Sequence, residues 1–424
     1  MKVLLVNTSE RRGGAAVACN RLMKALNKLD GVEANMLVRD RDTADPHVFS
    51  VNTSCYNRLL NYGRFCWERL KIFLCNGFSR KTLFAVSTAA TGINISTHQK
   101  LQEADIIHLH WINQGMLSLK GIRELLKSGK PIVWTMHDMW VFTGICHYAG
   151  MCENFKKNCG QCIFLNSKSA KDLSMHIFQR KQRLDYSAIH FVACSEWLKG
   201  IAGDSKLLGD GHVMSIPNPI DSIAFAPVSK EQARVRFNLP IDKKLILFGA
   251  VKIADSRKGF NYFCEAIKMF ITHYPALCKN VELLFLGDKG EDDLQEFEMV
   301  VHNIGYLSKQ EDIVALYNVA DVFVIPSLED NLPNTIMEAL ACGTPVVGFR
   351  TGGIPEMVTH LENGYIADYK NSSDLMRGIY WTLFEADYEA VSQKARQKVL
   401  ENYTEEVIVQ KYYSLYNQLL NAKE

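Results

Sequence analysis

The sequence of 424 residues has little excess charge and no long apolar run. It contains 48 lysines and arginines against 46 acidic residues, and a net charge of +2 gives no support for nucleic acid as a partner. No apolar stretch approaches the roughly 20 residues that a membrane-spanning helix needs. A hydrophobic content of 47% therefore indicates an ordinary soluble globular protein.

The amino terminus, MKVLLVNTSE, lacks the features of a secretion signal, because its apolar run is short and no small-residue cleavage site follows. We interpret it as a first β-strand. The 12 cysteines, without such a signal, indicate reduced thiols, and we expect a cytoplasmic protein. The sequence also has no low-complexity tract and no internal repeat.

Short β-branched apolar runs alternate with helical patterns along the chain, which is too long for one typical core. This alternation predicts two doubly wound α/β domains that face one another across a cleft. The stiff PNPID segment is typical of a linker. We therefore place the first domain at residues 1–215 and the second at residues 216–404.

Residues 321–349, DVFVIPSLEDNLPNTIMEALACGTPVVGF, predict a strand, a polar loop, a helix capped by Asn334, and a second strand. The loop after a parallel strand opens at the carboxyl edge of the sheet, where a helix N-terminus favours phosphate. Asp330 in the loop and Glu338 in the helix could reach different hydroxyl-rich parts of one ligand there. The alternative is a solvated loop followed by an ordinary surface glutamate.

This segment resembles the donor-site motif of the retaining GT-B glycosyltransferases of family four, in EALACGTPVV and in the acid that precedes it. The family has a glutamate where this chain has Asp330. The resemblance implies that Asp330 holds the donor sugar and Glu338 the ribose. It also implies a donor site completed by neighbouring backbone groups at Asn331, Leu332, Asn334 and Thr335.

The resemblance covers nearly the whole chain and implies two Rossmann-like domains, with the helix at residues 405–424 crossing back onto the first. The implied enzyme moves a sugar from a nucleotide sugar to a hydroxyl of a glycan or lipid-linked acceptor. It would retain the anomeric configuration, use no catalytic metal and act in bacterial surface polysaccharide assembly. The nucleobase would meet the backbone near Leu307 of VHNIGYL.

One histidine lies where the family often has a histidine near the donor sugar. His137 directly follows the predicted strand PIVWTM, at the edge of the sheet where ligands bind. We expect it to be a hydrogen-bonding partner of donor or acceptor and not necessarily a base. His108 and His110 flank an earlier buried strand, and we interpret them as structural or as contacts for the acceptor.

Two further loops favour binding of a diphosphate. Gly13 and Gly14 follow the first strand and allow close approach at a helix N-terminus, although a tight turn without a ligand explains them equally well. Arg257 and Lys258 follow the first strand of the second half and can neutralise a pyrophosphate leaving group. The resemblance assigns the conserved lysine of the family to Lys258.

Four cysteines lie close together in CHYAGMCENFKKNCGQC: Cys146, Cys152, Cys159 and Cys162. The CGQC pair has the spacing of a zinc knuckle, and two more thiolates would close a tetrahedral structural site. The wider spacing of the first pair leaves free or redox-paired thiols as alternatives.

Residues 55–81 interleave aromatic side chains with arginines and lysines. This pattern predicts a basic amphipathic helix that could rest on an anionic surface, such as the inner face of a membrane, or on a lipid-linked acceptor. The alternative is a helix that packs its aromatic residues on the domain core and leaves its arginines in solvent.

Two other functions fit the same architecture. A sugar-nucleotide epimerase would interconvert a donor with no acceptor present. A non-catalytic nucleotide-sugar-binding subunit would bind the donor without turnover, and the shorter acid at Asp330 keeps this alternative open. Transfer is favoured because the phosphate-binding cations and the ribose-binding acid occur together.

Overall fold

The computed structural model describes residues 1–167, 169–209, 213–252, 255–288 and 297–422. The chain forms two compact units, with Met1–Pro219 and Ile408–Glu424 in unit 1 and Ile220–Val407 in unit 2. The predicted division between residues 215 and 216 differs from this one by residues 216–219. In the described ranges, no helix has both the length and the apolar character to cross a bilayer.

Unit 1 has a parallel sheet of seven strands, in the order β3-β2-β1-β4-β5-β6-β7. The apolar run of β1 is buried, as expected for a central strand covered on both faces. The strand order reverses at β1, so its carboxyl end lies at the topological switch point. The strands are β1 (Lys2–Ser9), β2 (Glu33–Asp40), β3 (Val48–Ser50), β4 (Ile106–Leu109), β5 (Ile132–Met136), β6 (Ile189–Ala193) and β7 (Val213–Ser215). The helices are α1 (Gly14–Leu26), α2 (Cys55–Cys75), α3 (Gln99–Glu103), α4 (Leu119–Leu126), α5 (Leu173–Lys181) and α6 (Glu196–Gly203).

Unit 2 has a parallel sheet of six strands, in the order β10-β9-β8-β11-β12-β13. The order reverses between the adjacent strands β8 and β11, which places a second switch point at their carboxyl ends. The strands are β8 (Lys244–Lys252), β9 (Val281–Asp288), β10 (Val301–Gly305), β11 (Val322–Ile325), β12 (Val346–Phe349) and β13 (Gly364–Ala367). The helices are α7 (Lys230–Arg236), α8 (Phe260–His273), α9 (Pro275–Cys278), α10 (Gln310–Val319), α11 (Asn334–Ala341), α12 (Ile354–Met357), α13 (Ser372–Tyr380) and α14 (Tyr388–Asn402), with a π-helical turn at Trp381–Glu385.

The last helix, α15 (Glu405–Asn421), brings the end of the chain back to unit 1. Its Tyr416 hydroxyl lies 2.7 Å from Nδ1 of the buried His108, and its Tyr412 hydroxyl lies 2.8 Å from Oγ1 of Thr135. His108 Nε2 in turn lies 2.7 Å from Thr135 Oγ1. These bonds join α15 to strands β4 and β5, and they give His108 a structural role.

Each unit is thus a doubly wound α/β domain, and the fold class predicted from the sequence is confirmed. The buried strand at residues 322–325 lies where the apolar run predicted it. The predicted helix after it begins at Asn334 and ends at Ala341, with Gly343 at a positive φ of 76°. The predicted cap is wrong, because Pro333 occupies the N-cap position and Asn334 is the first helical residue.

Candidate functional site

The loops after β8 and β11 are in close contact at the switch point of unit 2. Ser256–Lys258 form one 3-10 turn, and Gly259 ends it at a φ of 68°. A Cβ atom on Gly259 would lie 1.8 Å from the carbonyl oxygen of Pro326, so only glycine fits there. The backbone N–H of Leu328 donates to the carbonyl of Arg257 at 2.7 Å. These contacts hold the cationic turn against the loop that carries Asp330.

A lysine and an aspartate meet at this point. Lys258 Nζ donates to Asp330 Oδ2 at 2.6 Å, and the Ser327 hydroxyl lies 3.3 Å from the same oxygen. The loop after β12 closes on Asp330 from a third side, since a Cβ atom on Gly352 would lie 1.6 Å from the Asp330 carbonyl oxygen. The structure therefore brings together Lys258 and Asp330, which the sequence placed in one site.

Arg257, the second predicted cation, has a different partner. Its guanidinium donates to both carboxylate oxygens of Asp255, at 3.2 and 2.7 Å. Burial opposes ionisation of Asp255, but the hydrogen bonds and charge of Arg257 outweigh it and lower the pKa of the carboxyl group. Asp255 thus holds Arg257 beside Lys258 in the same turn.

Glu338 lies on α11, and a tyrosine that the sequence did not single out holds it. The hydroxyl of Tyr317, on α10, donates to Glu338 Oε2 at 3.1 Å. Both residues are buried. The pair joins two helices, so no pattern within either helix could have predicted the contact. The neighbouring Asn331 and Leu332 are buried, while Asn334 and Thr335 in the first turn of α11 are half-buried.

The remaining predicted donor contacts follow two other strands. Leu307 is half-buried and follows β10, the edge strand of unit 2. Gly13 and Gly14 follow β1 in unit 1, and Gly13 caps α1 with a φ of 93°. A Cβ atom on Gly13 would meet no atom within 4 Å, so its backbone conformation and not crowding favours glycine there.

In unit 1, His137 lies in a chain of hydrogen bonds just beyond β5. Its Nε2 lies 3.0 Å from His110 Nδ1, and its Nδ1 lies 3.5 Å from Cys194 Sγ. The Cys194 thiol donates to Asn218 Oδ1 at 3.2 Å, so the sulfur accepts from Nδ1–H of His137. His110 then donates to His137. Both ring nitrogens of His137 are engaged, and a ligand would have to displace one of these contacts.

These histidines are neutral near pH 7. Burial lowers the pKa of His137 to about 4, although the charge of Asp138 opposes this shift. Burial also lowers the pKa of His108 to about 3 and moves that of His110 well below its usual value. A neutral imidazole at residue 137 fits a hydrogen-bonding role.

Asp138, beside His137, is the centre of a second network. Its carboxylate accepts from Trp111 Nε1 at 2.9 Å and lies 2.7 Å from His147 Nδ1. His147 Nε2 lies 3.0 Å from the Ser87 hydroxyl. Sequence reasoning missed His147, because its own segment suggested only cysteine chemistry and one of its partners, Ser87, lies 60 positions earlier.

The four clustered cysteines are free thiols that line one small cavity with Ile145, Phe155 and Phe164. The backbone N–H of Gly144 donates to Cys159 Sγ at 3.2 Å. Burial raises the pKa of Cys159 to about 12 and that of Cys162 to about 11. Across the described residues, no group of three or more His, Cys, Asp or Glu side chains is arranged to hold a metal ion. The zinc site stays a prediction, which metal analysis of the reduced protein decides.

Comparison with known proteins finds a family that part of the chain resembles. Residues 242–384, which contain Lys258, Asp330 and Glu338, match the family model described as glycosyl transferases group 1. This part of unit 2 is therefore similar to the glycosyl transferases group 1 family. The resemblance seen in EALACGTPVV is thereby confirmed, since that segment lies within the matched range.

Two curated relatives match parts of the chain. The N-acetyl-alpha-D-glucosaminyl L-malate synthase of Bacillus anthracis is 29% identical over 216 residues, 49% of this chain and 54% of the relative. The N,N'-diacetylbacillosaminyl-diphospho-undecaprenol alpha-1,3-N-acetylgalactosaminyltransferase of Campylobacter jejuni is 30% identical over 186 residues, 43% of this chain and 47% of the relative. The chain thus spans about half the length of these curated relatives.

A solved structure shares the fold over the whole chain. The Anabaena protein HepE, solved in complex with UDP and glucose, superposes with a TM-score of 0.64 and 16% identity. The match covers 98% of this chain and 99% of HepE. The identity is low, so this likeness supports the two-domain fold and nothing finer.

Proposed function

We propose that this protein is a retaining glycosyltransferase that moves a sugar from a nucleoside diphosphate sugar to a hydroxyl of a glycan or lipid-linked acceptor. The observation that carries the proposal is the Lys258–Asp330 pair, at the point where three loops meet on the carboxyl edge of the sheet in unit 2. This is where open α/β sheets bind ligands. The nucleotide in the HepE complex and the lipid-linked substrate in the name of the Campylobacter relative support the same donor and acceptor classes.

The proposed chemistry follows from the charges. When the bond between the sugar and the diphosphate breaks, negative charge develops on the leaving diphosphate. Lys258 and the N-terminus of α11 would stabilise that charge, with Arg257 beside them, and we propose that no metal ion is needed. Asp330 would orient the sugar, and its bond to Lys258 would keep the lysine in place before the donor binds. Glu338 would accept hydrogen bonds from the ribose hydroxyls.

His137 belongs to unit 1, and its contact with the sugar stays a prediction. As a neutral group with Nδ1–H bonded to Cys194, it would act by hydrogen bonding and not as a charged acid.

The deciding experiment combines a binding screen with a turnover assay. Nucleoside diphosphates and their sugars are tested for thermal stabilisation, since a ligand at 100 times its Kd adds about 2.7 kcal/mol to the free energy of unfolding. The stabilising sugar nucleotide is then incubated with and without an acceptor glycan. Release of nucleoside diphosphate that depends on the acceptor, with an unchanged anomeric configuration in the product, is expected.

Three other results would contradict the proposal. Interconversion of the donor without any acceptor would indicate an epimerase. Saturable binding without turnover across the acceptor panel would indicate a binding subunit. Inversion of the anomeric configuration would leave a transferase but remove the retaining mechanism.

Replacing Tyr317 with phenylalanine should raise KM for the donor by about 2- to 10-fold with little change in kcat. The substitution removes the hydrogen bond that orients Glu338, and one such bond contributes about 0.5–1.5 kcal/mol. Steady-state kinetics with varied donor concentration measures the effect. Tyr365→Phe is the matched control, since it removes a 2.7 Å bond to Asp374 elsewhere in unit 2. Equal KM values for both variants would contradict the role of Tyr317.

A further inference from the structure

Helix α2 of unit 1 buries a mostly polar face and exposes an apolar face, which is the reverse of an ordinary surface helix. An amphipathic helix usually turns its apolar stripe to the core and its charges to solvent. In α2 the inward positions are mostly polar, and they include Asn61, Glu68 and Arg69, all buried. Ile72 is the buried apolar residue of this helix. The aromatic residues of α2 therefore do not anchor the helix to the core.

Polar contacts fix the inward face of α2 to unit 1. Glu68 Oε1 accepts from the backbone N–H groups of Thr88 and Ala89, both at 2.8 Å. Its other carboxylate oxygen lies 3.0 Å from Arg69 Nη2, and Arg69 Nη1 donates to the carbonyl oxygen of Val86 at 3.1 Å. The ion pair lies within α2, so the bonds to the backbone of residues 86–89 are what set the orientation of the helix. Turning the helix would leave these buried backbone groups without partners, which is costly.

The outward face of α2 carries a stripe of large apolar side chains. Tyr56, Leu59 and Trp67 are 69%, 70% and 57% exposed. The aromatic residues thus do not pack on the core, which was one of the two interpretations of this segment. Further exposed large apolar side chains follow on the same helix and just after it: Leu60, Tyr62, Leu70, Leu74, Phe78 and Phe84.

The exposed charges within this segment are of one sign. Glu68 is the one acidic residue between positions 54 and 86, and it is buried against Arg69. The cations of the segment are exposed or half-buried: Arg58, Arg64, Lys71, Arg80 and Lys81. We call the exposed apolar residues together with these cations the α2 surface. It combines exposed apolar side chains with positive charge, and the segment itself contributes no exposed carboxylate.

We propose that the α2 surface docks on an anionic lipid bilayer, with α2 lying in the interface and its apolar stripe inserted at headgroup depth. Tyrosine and tryptophan suit this depth because each has an apolar ring and a polar atom. Basic residues beside an inserted face attract anionic lipids. A second copy of the chain fits less well, because a two-fold interface would bring these cations against one another. The proposal requires no sugar donor and is independent of the proposed function.

Vesicle co-sedimentation of the full chain tests the proposal. Wild type should bind vesicles that contain phosphatidylglycerol, bind phosphatidylcholine vesicles weakly, and lose affinity as salt rises. Its tryptophan emission should shift to shorter wavelength on binding, and Trp67→Phe should lose most of this shift, since Trp67 is the exposed tryptophan of the chain. The triple variant Leu59→Gln, Leu70→Gln, Leu74→Gln should bind at least about tenfold more weakly.

The matched control changes three exposed apolar residues of unit 2, in the variant Ile223→Gln, Val235→Gln, Ile241→Gln. It should bind vesicles as wild type does. Circular dichroism and Tm should be unchanged in both triple variants, because all six side chains are exposed. Negligible binding of wild type to anionic vesicles would overturn the proposal. So would a concentration-dependent dimer that the α2 triple variant abolishes, in the absence of vesicle binding.

Discussion

Lys258→Ala should lower kcat/KM for sugar transfer by about 10²- to 10³-fold, which corresponds to about 2.7–4 kcal/mol of lost transition-state stabilisation. Lys258 is the cation held at the switch point of unit 2, 2.6 Å from Asp330. Its positive charge matters most when the diphosphate leaves, so kcat should fall more than KM rises. Steady-state kinetics with varied donor concentration separates the two effects.

The control for this variant is Lys279→Ala, which removes an exposed lysine from the same unit. Its kcat/KM should stay within about twofold of wild type, because surface substitutions away from a site have small effects. Thermal unfolding should show that Lys258→Ala remains folded. A Lys258→Ala enzyme with the catalytic efficiency of wild type would remove Lys258 from the mechanism.

The second large effect concerns acid stability. Lowering the pH from 7.5 to 5 should reduce the free energy of unfolding of unit 1 by at least about 4 kcal/mol. His108 and His137 contribute about 2 kcal/mol each, and His110, whose pKa is also lowered by burial, adds to this loss. The folded pKa values are lowered to about 3 and about 4, whereas an unfolded histidine titrates near pH 6.5. Between these values the unfolded state binds more protons. Stability therefore falls as the pH drops through 6.5 and continues to fall toward pH 4.

Urea unfolding followed by tryptophan emission measures this loss. Trp381 is the tryptophan of unit 2, and the other five of the 6 lie in unit 1, so the signal reports mainly on unit 1. His108→Gln should reduce this loss of stability by about 2 kcal/mol. His273→Gln is the matched control, because His273 is exposed, and it should leave the dependence unchanged. A free energy of unfolding that is constant between pH 6.5 and 5 would contradict the assignment of neutral buried histidines.

Local sequence patterns were sufficient for the fold class and for placing Lys258 and Asp330 at the same edge of the sheet, but not for the bond between them. Apolar runs locate the strands, and neighbouring parallel strands place the residues that follow them at one edge of the sheet. The helix cap was wrong by one position. Asn334 has the better capping side chain, but the extended backbone of Pro333 makes it the N-cap, and the helix begins one residue later.

Contacts between distant segments were beyond the sequence. Tyr317 reaches Glu338 from another helix, and His147 in the cysteine-rich loop reaches Ser87, which lies 60 positions earlier. The orientation of α2 is another feature that the sequence alone could not predict. Its periodicity shows two faces, but which one turns inward depends on the backbone N–H groups at residues 88 and 89, which only the folded chain brings to Glu68.

The return of α15 to unit 1 constrains how the protein can be divided. A fragment that stops at Pro219 would lack Tyr412 and Tyr416, and the polar side chains of His108 and Thr135 would lose hydrogen-bonding partners inside an apolar core. Producing unit 1 as an independent protein therefore requires rejoining the chain, for example by linking residue 219 directly to the start of α15. Unit 2 is one uninterrupted stretch and can be excised with a single pair of cuts.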